Sequence, residues 1–189
     1  MIEGVPPFDL RRIAEVMSRC DVRFVAIGGV SGMLHGVVEY LTQDVDLLVE
    51  REAENLHRVA RALTELGARV EDDAGDVVDR DISAADFVGN SQWNTDAGPV
   101  DVIVAAAGPN ETFLIFADIE RRLGFFDVGE GLALPVASLD DVIRMKEAAD
   151  RHKDHLALPE LRRLRRDAHP ERSLDTELFQ EFDDDDWDD

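Results

Sequence analysis

AIGGVSGMLHGVVEYLTQDVDLLVE, residues 26–50, decides the reading of this chain. Two apolar runs that look ready for burial carry a double glycine, Gly28-Gly29, on one and two aspartates, Asp44 and Asp46, on the other. Side chains two apart on a strand share a face, so DVD projects both carboxylates together while Val45 points into the core. Two same-face carboxylates repel each other, and burying them without a partner is expensive. Either they mark a solvated strand end, or their partner lies outside the chain. A divalent cation bound through oxygen is such a partner, and Mg²⁺ takes one or two carboxylates together with substrate phosphates. Gly28-Gly29 stands between a strand and a helix. Glycine there either makes a tight turn or lets backbone N–H groups approach a phosphate, with Ser31 adding a hydroxyl. A third carboxylate, Asp101, sits in GPVDVIVAA among apolar residues. Its plainer reading is an edge-strand aspartate or a polar cap on the core.

Outward from this stretch, the spacing of Leu10, Ile13, Ala14 and Met17 predicts a helix over 9–20, opened by the preceding Pro-Pro pair. DVRFVAIGG reads as a strand, Val30 to Val38 as a helix and DVDLLVE as a second strand. Residues 52–66 predict an amphipathic helix with Ala53, Leu56, Ala60 and Leu63 on its buried face and Gly67 past its end. Strands are expected around Phe87–Thr95 and Val100–Ala105, separated by the turn signal at 96–99. Residues 111–123 read as helical, and GFFDVGEGLALPVA as a hairpin turning near Gly129–Gly131. Ser138 and Asp141 cap a helix carrying Val142, Ile143, Met145 and Ala149. A last helix spans about 153–166, bent or broken at Pro159.

The totals frame this pattern. A chain of 189 residues, 44% hydrophobic, has enough apolar side chain for one domain with a core. We expect that domain over 1–168 and an acidic tail over 169–189, disordered or draped over the domain. A single cysteine, Cys20, excludes an internal disulfide framework and fits a reducing cytoplasm. The N-terminus has neither the basic nor the apolar region of a secretory signal. No apolar run approaches the roughly 20 residues of a membrane helix, so a cytoplasmic protein without membrane contact is expected. The net charge of −22 argues against nonspecific nucleic-acid binding. Its distribution is uneven: residues 175–189 hold nine acidic residues and no basic one, and residues 144–166 hold eight basic against four acidic.

These residues together resemble the polymerase-β-like nucleotidyltransferase superfamily. The resemblance rests on Gly28 and Gly29 after the first strand, Asp44 and Asp46 on the next, and Asp101 on a later one. GGVSGMLHGVVEYLTQDVDLLV, NTDAGPVDVIV and SLDDVIRMKEAADRHKDHLAL are similar to three segments of the AbiEii and MenT-like toxins of bacterial toxin–antitoxin pairs, over roughly residues 20–165. One departure is that many relatives carry an arginine before the threonine, where Glu39-Tyr40-Leu41 here precedes Thr42. The resemblance implies an α/β fold, a small mixed sheet backed by helices with a C-terminal helical segment. It also implies transfer of a nucleoside monophosphate from an NTP to an acceptor hydroxyl. Asp44, Asp46 and Asp101 would be the metal ligands for Mg²⁺ or Mn²⁺, with Asp101 completing a two-metal arrangement or serving as base. Gly28, Gly29, Ser31, Thr42, Lys146, Arg151, Lys153 and Asp154 would form the nucleotide site, with Lys146 on an exposed helix face neutralising the triphosphate and Asp154 orienting a basic residue. The implied acceptor is RNA, specifically tRNA, and the implied protein partner is a cognate antitoxin. A small molecule such as an antibiotic, or a partner protein, would serve the same carboxylates, and an inactive nucleotide-binding module is the non-enzymatic alternative.

The remaining residues read more plainly. His152 and His155 are surface residues, since no second pair completes a zinc site. His35 packs at the turn, and Trp93 belongs to the core or a pocket wall. Arg162, Arg163, Arg165 and Arg166 either contact RNA phosphates or form a solvated helix face.

Overall fold

Val45–Val49 is buried along most of its length, buried residues alternate along the second half of Gly98–Ile103, and these two strands pair side by side within one sheet. The computed structural model describes residues 8–37, 42–71 and 75–168. The Pro-Pro pair, Val38, the Glu39-Tyr40-Leu41 departure and the acidic tail from 169 lie outside the described residues. The elements run α1 Leu10–Arg19, β1 Phe24–Ala26, α2 Gly28–Leu34, β2 Val45–Val49 and α3 Ala53–Glu65. They continue through β3 Ser91–Thr95, β4 Gly98–Ile103, β5 Ala106–Ala107, β6 Phe113–Leu114 and α4 Phe116–Ile119. β7 Gly124–Asp127, β8 Ala133–Val136, α5 Leu139–Ala149 and α6 His152–Ala168 complete the chain.

Six strands form one mixed sheet in the order β3-β4-β2-β1-β8-β7, with β5 and β6 a separate two-stranded ribbon. β2 runs parallel to β4, and β1 parallel to β8, while the other neighbours are antiparallel. Helices cover both faces. Val45, Leu47, Val49, Val100 and Val102 pack with Ile13, Met17, Val59 and Leu63 of α1 and α3. On the other face Val25 and Leu48 pack with Ile119, Ile143, Leu158 and Leu161 of α4, α5 and α6. Each fully buried aliphatic side chain contributes about 1.5–3 kcal/mol, so the period-2 pattern locks the register of the central strands. The α/β sheet backed by helices agrees with the expected class.

Several local expectations are corrected. The first glycines do not form a loop ahead of a helix at Val30, because Gly28 and Gly29 already open α2. The buried face of α3 is Asn55, Val59, Ala60, Ala62 and Leu63, with Ala53 exposed. Asn55 turns inward because its side chain accepts from Arg23 N at 2.7 Å and donates to Glu50 O at 2.9 Å, a bond set that hydrophobic periodicity cannot register. Residues 111–123 are not one helix. Thr112 Oγ1 donates to Pro109 O at 2.6 Å and Asp118 Oδ2 accepts from Ile115 N at 2.8 Å, so side chains take over the backbone groups and divide the segment. α6 runs unbroken through Pro159. Pro159 and His155 both lie on the exposed face of α6, where a carbonyl left without the missing proline N–H costs least. The hairpin of β7 and β8 turns where expected, with Gly129 and Gly131 both at positive φ. Ser138 Oγ accepts from Asp141 N at 3.2 Å at the start of α5.

Candidate active site

β2 and β4 pair in parallel register with Asp46 directly beside Asp101. Both side chains share the face of Leu48, toward α5 and α6, because the intervening Val45, Leu47, Val100 and Val102 occupy the opposite core. Asp44 stands at the bend just before β2, where Thr42 Oγ1 donates to its Oδ1 at 2.9 Å. Asp46 is pushed up to about 6 from an ordinary 3.8 by burial, then by the charges of Asp44 and Asp101, against the opposing pull of Lys153 and Arg151. Asp101 is also raised, by burial and then by Asp44, while a hydrogen bond from Gln92 and the charge of Lys153 oppose the rise.

Gly28 fits under Asp46. Its φ is +63°, and a Cβ there would lie 1.8 Å from Asp46 Oδ2. Glycine is therefore needed twice, for the backbone angle and for the room the carboxylate takes. Gly29 is buried next to it in α2. Ser31 is fully buried, with its Oγ 3.5 Å from Ala137 O, so its hydroxyl faces the core side of α2.

The far wall comes from the α5–α6 junction. Asp150 adopts the left-handed conformation between the helices and folds the chain back, so that Asp154 meets Lys146. Lys146 is only 3% exposed, contrary to an exposed helix face. Its Nζ donates to Asp154 Oδ1 at 3.0 Å, and Arg151 Nε donates to Asp154 Oδ2 at 2.7 Å. Burial pushes Asp154 up, but the bonds from Arg151 and Lys146 outweigh it and hold the carboxyl below its ordinary value. Lys153 is exposed, and its charge acts on Asp46 and Asp101. A cleft of about 170 Å³ is lined by the polar residues Asp46, Lys146 and Arg151, by Gly28, and by the apolar Ile103, Ala106, Val142 and Met145.

The structure thus gathers Asp44, Asp46 and Asp101 with Gly28, Lys146, Arg151, Lys153 and Asp154, and it sets Ser31 apart. Among the described residues no group of three or more His, Cys, Asp or Glu side chains is arranged so that it could hold a metal ion. The donor set of the three aspartates is all oxygen, and burial together with neighbouring carboxylate charge raises Asp46 and Asp101, a setting that suits a hard divalent cation.

Two polar residues were missed by sequence reasoning. Gln92, opposite Asp101 across the β3–β4 pair, donates from Nε2 to Asp101 Oδ2 at 3.1 Å. Asn90 accepts from Val104 N at 2.9 Å and donates to Ala105 O at 3.0 Å, tying down the backbone that forms the cleft wall. Gln92 would have been findable once β3 was registered on β4. Asn90 carried no local signal beyond its glycine neighbour.

His35 Nε2 lies 2.8 Å from Ala137 O, and its ring packs edge-on to Phe126, so it belongs to the turn. Trp93 is a core residue against Phe87. His152 and His155 are exposed. Of the α6 arginines, Arg162 pairs with Glu147 at 2.7 Å, Arg163 with Asp167 at 3.2 Å and Arg165 with Asp140 at 3.6 Å. Among the described residues no helix is long and apolar enough to cross a membrane.

No protein-family model matches the sequence, and no curated protein is significantly similar to it. Solved structures are similar across most of the chain. One is a candidate nucleotidyltransferase from Thermotoga maritima, at 18% identity over 88% of this chain and 91% of that one, with a TM-score of 0.47. Another is the solution structure of the antibiotic-resistance factor ANT(2'')-Ia, at 15% identity over 91% of this chain and 95% of that one, with a TM-score of 0.48. The crystal structure of ANT(2'')-Ia with adenylyl-2''-tobramycin is similar at 14% identity over 88% and 91%, with a TM-score of 0.48.

Proposed function

We propose that this chain is a divalent-metal-dependent nucleotidyltransferase that moves a nucleoside monophosphate from an NTP to an acceptor hydroxyl. The observation that carries this reading is the in-register pair Asp46 and Asp101, joined by Asp44 and seated over Gly28. Asp44, Asp46 and Asp101 would hold Mg²⁺ or Mn²⁺, which supplies charge neutralisation for the triphosphate and for the attacking and leaving oxygens. The chain's own residues do the rest. Lys146 and Arg151, fixed by Asp154, present positive charge to the phosphates along the cleft, and Lys153 adds charge from the surface. The acceptor oxygen bonds to the α-phosphorus, the bond from that phosphorus to the β-phosphate bridging oxygen breaks, and pyrophosphate leaves. The acceptor proton passes to a carboxylate, for which Asp101 is our assignment.

For the acceptor we retain tRNA, with the toxin role and an antitoxin partner, on the strength of the sequence resemblance. A small-molecule acceptor is the second reading. It is favoured by the pairing of Arg162, Arg163 and Arg165 with acidic neighbours, which neutralises the strip an RNA backbone would need. The test incubates the protein with each α-labelled NTP, Mg²⁺ and either total tRNA or a panel of hydroxyl-bearing antibiotics. Label on tRNA supports the first reading, and label on a small molecule the second. Absence of label from every acceptor, the protein included, refutes nucleotidyl transfer.

A further inference from the structure

Gln92, Asp101 and Asp46 form a row across three neighbouring strands, each opposite the next in register. Gln92 is an exposed residue on the edge strand β3, yet its amide reaches inward to Asp101. A long polar side chain at an exposed edge position has ample solvent to bond and loses rotamer freedom by holding one geometry. Its Nε2–Oδ2 bond spans the strand pair at the carboxylate directly beside Asp46 on the neighbouring strand.

We propose that Gln92 is a positioning residue for Asp101: its amide occupies Oδ2 and leaves Oδ1 as the oxygen that engages the cation or the acceptor hydroxyl. The inference rests on the nucleotidyltransferase reading above. A neutral amide suits the task. It donates to one oxygen and fixes the carboxylate plane without cancelling the negative charge that a cation needs, whereas a lysine or arginine there would compete with the metal. Outer partners of metal-binding carboxylates are commonly worth about 10–100-fold in metal affinity or activity. Exposure of Gln92 places the expectation near the lower end, about 10-fold.

The experiment measures Mn²⁺ binding to the free protein by electron paramagnetic resonance, alongside kcat and KM for NTP with the acceptor that takes label. Gln92→Leu removes the donor while keeping bulk. It should weaken Mn²⁺ binding about 10-fold and lower kcat, with KM for NTP little changed. In an Asp101→Asn background, Gln92→Leu should have no further effect on Mn²⁺ binding. A packing role would instead lower the unfolding temperature and act equally in both backgrounds. Wild-type Mn²⁺ affinity and kcat in Gln92→Leu, or an equal loss in the Asp101→Asn background, would overturn the inference while leaving nucleotidyl transfer standing. A wild-type protein that neither binds Mn²⁺ nor transfers label overturns both.

Discussion

Gly28→Ala separates strain in the fold from displacement of the site. The new Cβ would stand 1.8 Å from Asp46 Oδ2 and 3.1 Å from Asp46 Cβ. Real Cβ atoms essentially never approach within 3.0 Å, so the carboxylate oxygen must retreat by 1.2 Å or more, and Asp46 Cγ, at 2.6 Å, must move with it. Rotation about χ1 of Asp46 supplies most of this, and the 3.1 Å contact with its Cβ adds a shift of a few tenths of an ångström. The backbone cost is separate. At φ +63° a residue with a Cβ costs about 1–2 kcal/mol. For a domain of this size that corresponds to a fall of roughly 2–8 °C in Tm. The functional cost is larger, since a misplacement of about 1 Å at a reacting centre is worth about 100-fold in rate. We therefore expect a folded Gly28→Ala protein, modestly less stable, with transfer reduced about 100-fold or more. Thermal unfolding and single-turnover transfer of labelled NMP measure the two effects on the same sample. Transfer within about threefold of wild type in folded Gly28→Ala would refute the placement of Asp46 at the reacting centre, since displacement by an ångström should cost far more.

Asp46→Asn should abolish transfer and stabilise the metal-free protein above pH 6. Asp46 is raised to about 6 from 3.8, so between these values the folded state binds more protons than the unfolded one, and stability falls as pH rises through that window. The loss is about 2–3 kcal/mol, and urea titrations from pH 4 to 8 should show a shallower decline for Asp46→Asn than for wild type. Lys146→Ala should destabilise the fold. It leaves fully buried Asp154 with Arg151 but without its buried lysine partner, at a cost of about 2–4 kcal/mol. Calorimetry should show a Tm lowered by roughly 5–15 °C, and an unchanged Tm would refute the buried pair. Neutralising Arg162, Arg163 and Arg165 together should abolish label transfer to tRNA if RNA docks on α6, and should leave transfer to a small-molecule acceptor unchanged if that is the substrate. Labelled-NTP assays on the triple variant measure this directly.

Much of the fold was legible because its signals are local. Short β-rich apolar runs marked DVDLLVE and GPVDVIV as strands, glycines marked the β7–β8 turn, and Ser138 announced α5. What stayed hidden depends on contacts between distant residues. Asn55 reads as a surface residue until Arg23 and Glu50 are brought to it. Lys146 reads as a solvated lysine on an amphipathic helix, and only the fold-back at Asp150 shows that Asp154 buries it. Gln92 has no signature at all until the β3–β4 register sets it opposite Asp101. The carboxylates at the centre were readable for a physical reason: a charge inside an apolar run conflicts with burial, and such conflicts gather at functional sites.

The same logic distinguishes the aspartates of the interior from one another. Asp141 is fully buried but takes two bonds from Arg122, at 3.0 and 2.9 Å, and one from Ser138. Asp154 is fully buried between Lys146 and Arg151. Each is satisfied within the chain, and each joins elements far apart in sequence or at a sharp turn, so their role is to hold the helices in place. Asp46 and Asp101 are arranged differently. They lie side by side on central strands, each raised above its ordinary value, with Asp44 adding to the repulsion and Lys153 opposing it from the surface. A protein that supplies arginines to Asp141 and a buried lysine to Asp154 has ready means to neutralise a carboxylate. Among the described residues no lysine or arginine bonds to Asp46, although the charges of Lys153 and Arg151 reach it, and with Gly28 bare beneath it this leaves an oxygen-lined position whose repulsion a cation relieves. Binding there should therefore stabilise the fold most above pH 6, where Asp46 is ionised. A rise in Tm with Mn²⁺ that grows between pH 5 and 8 in wild type and vanishes in Asp46→Asn is the expected outcome. An equal rise in both proteins would place the cation elsewhere.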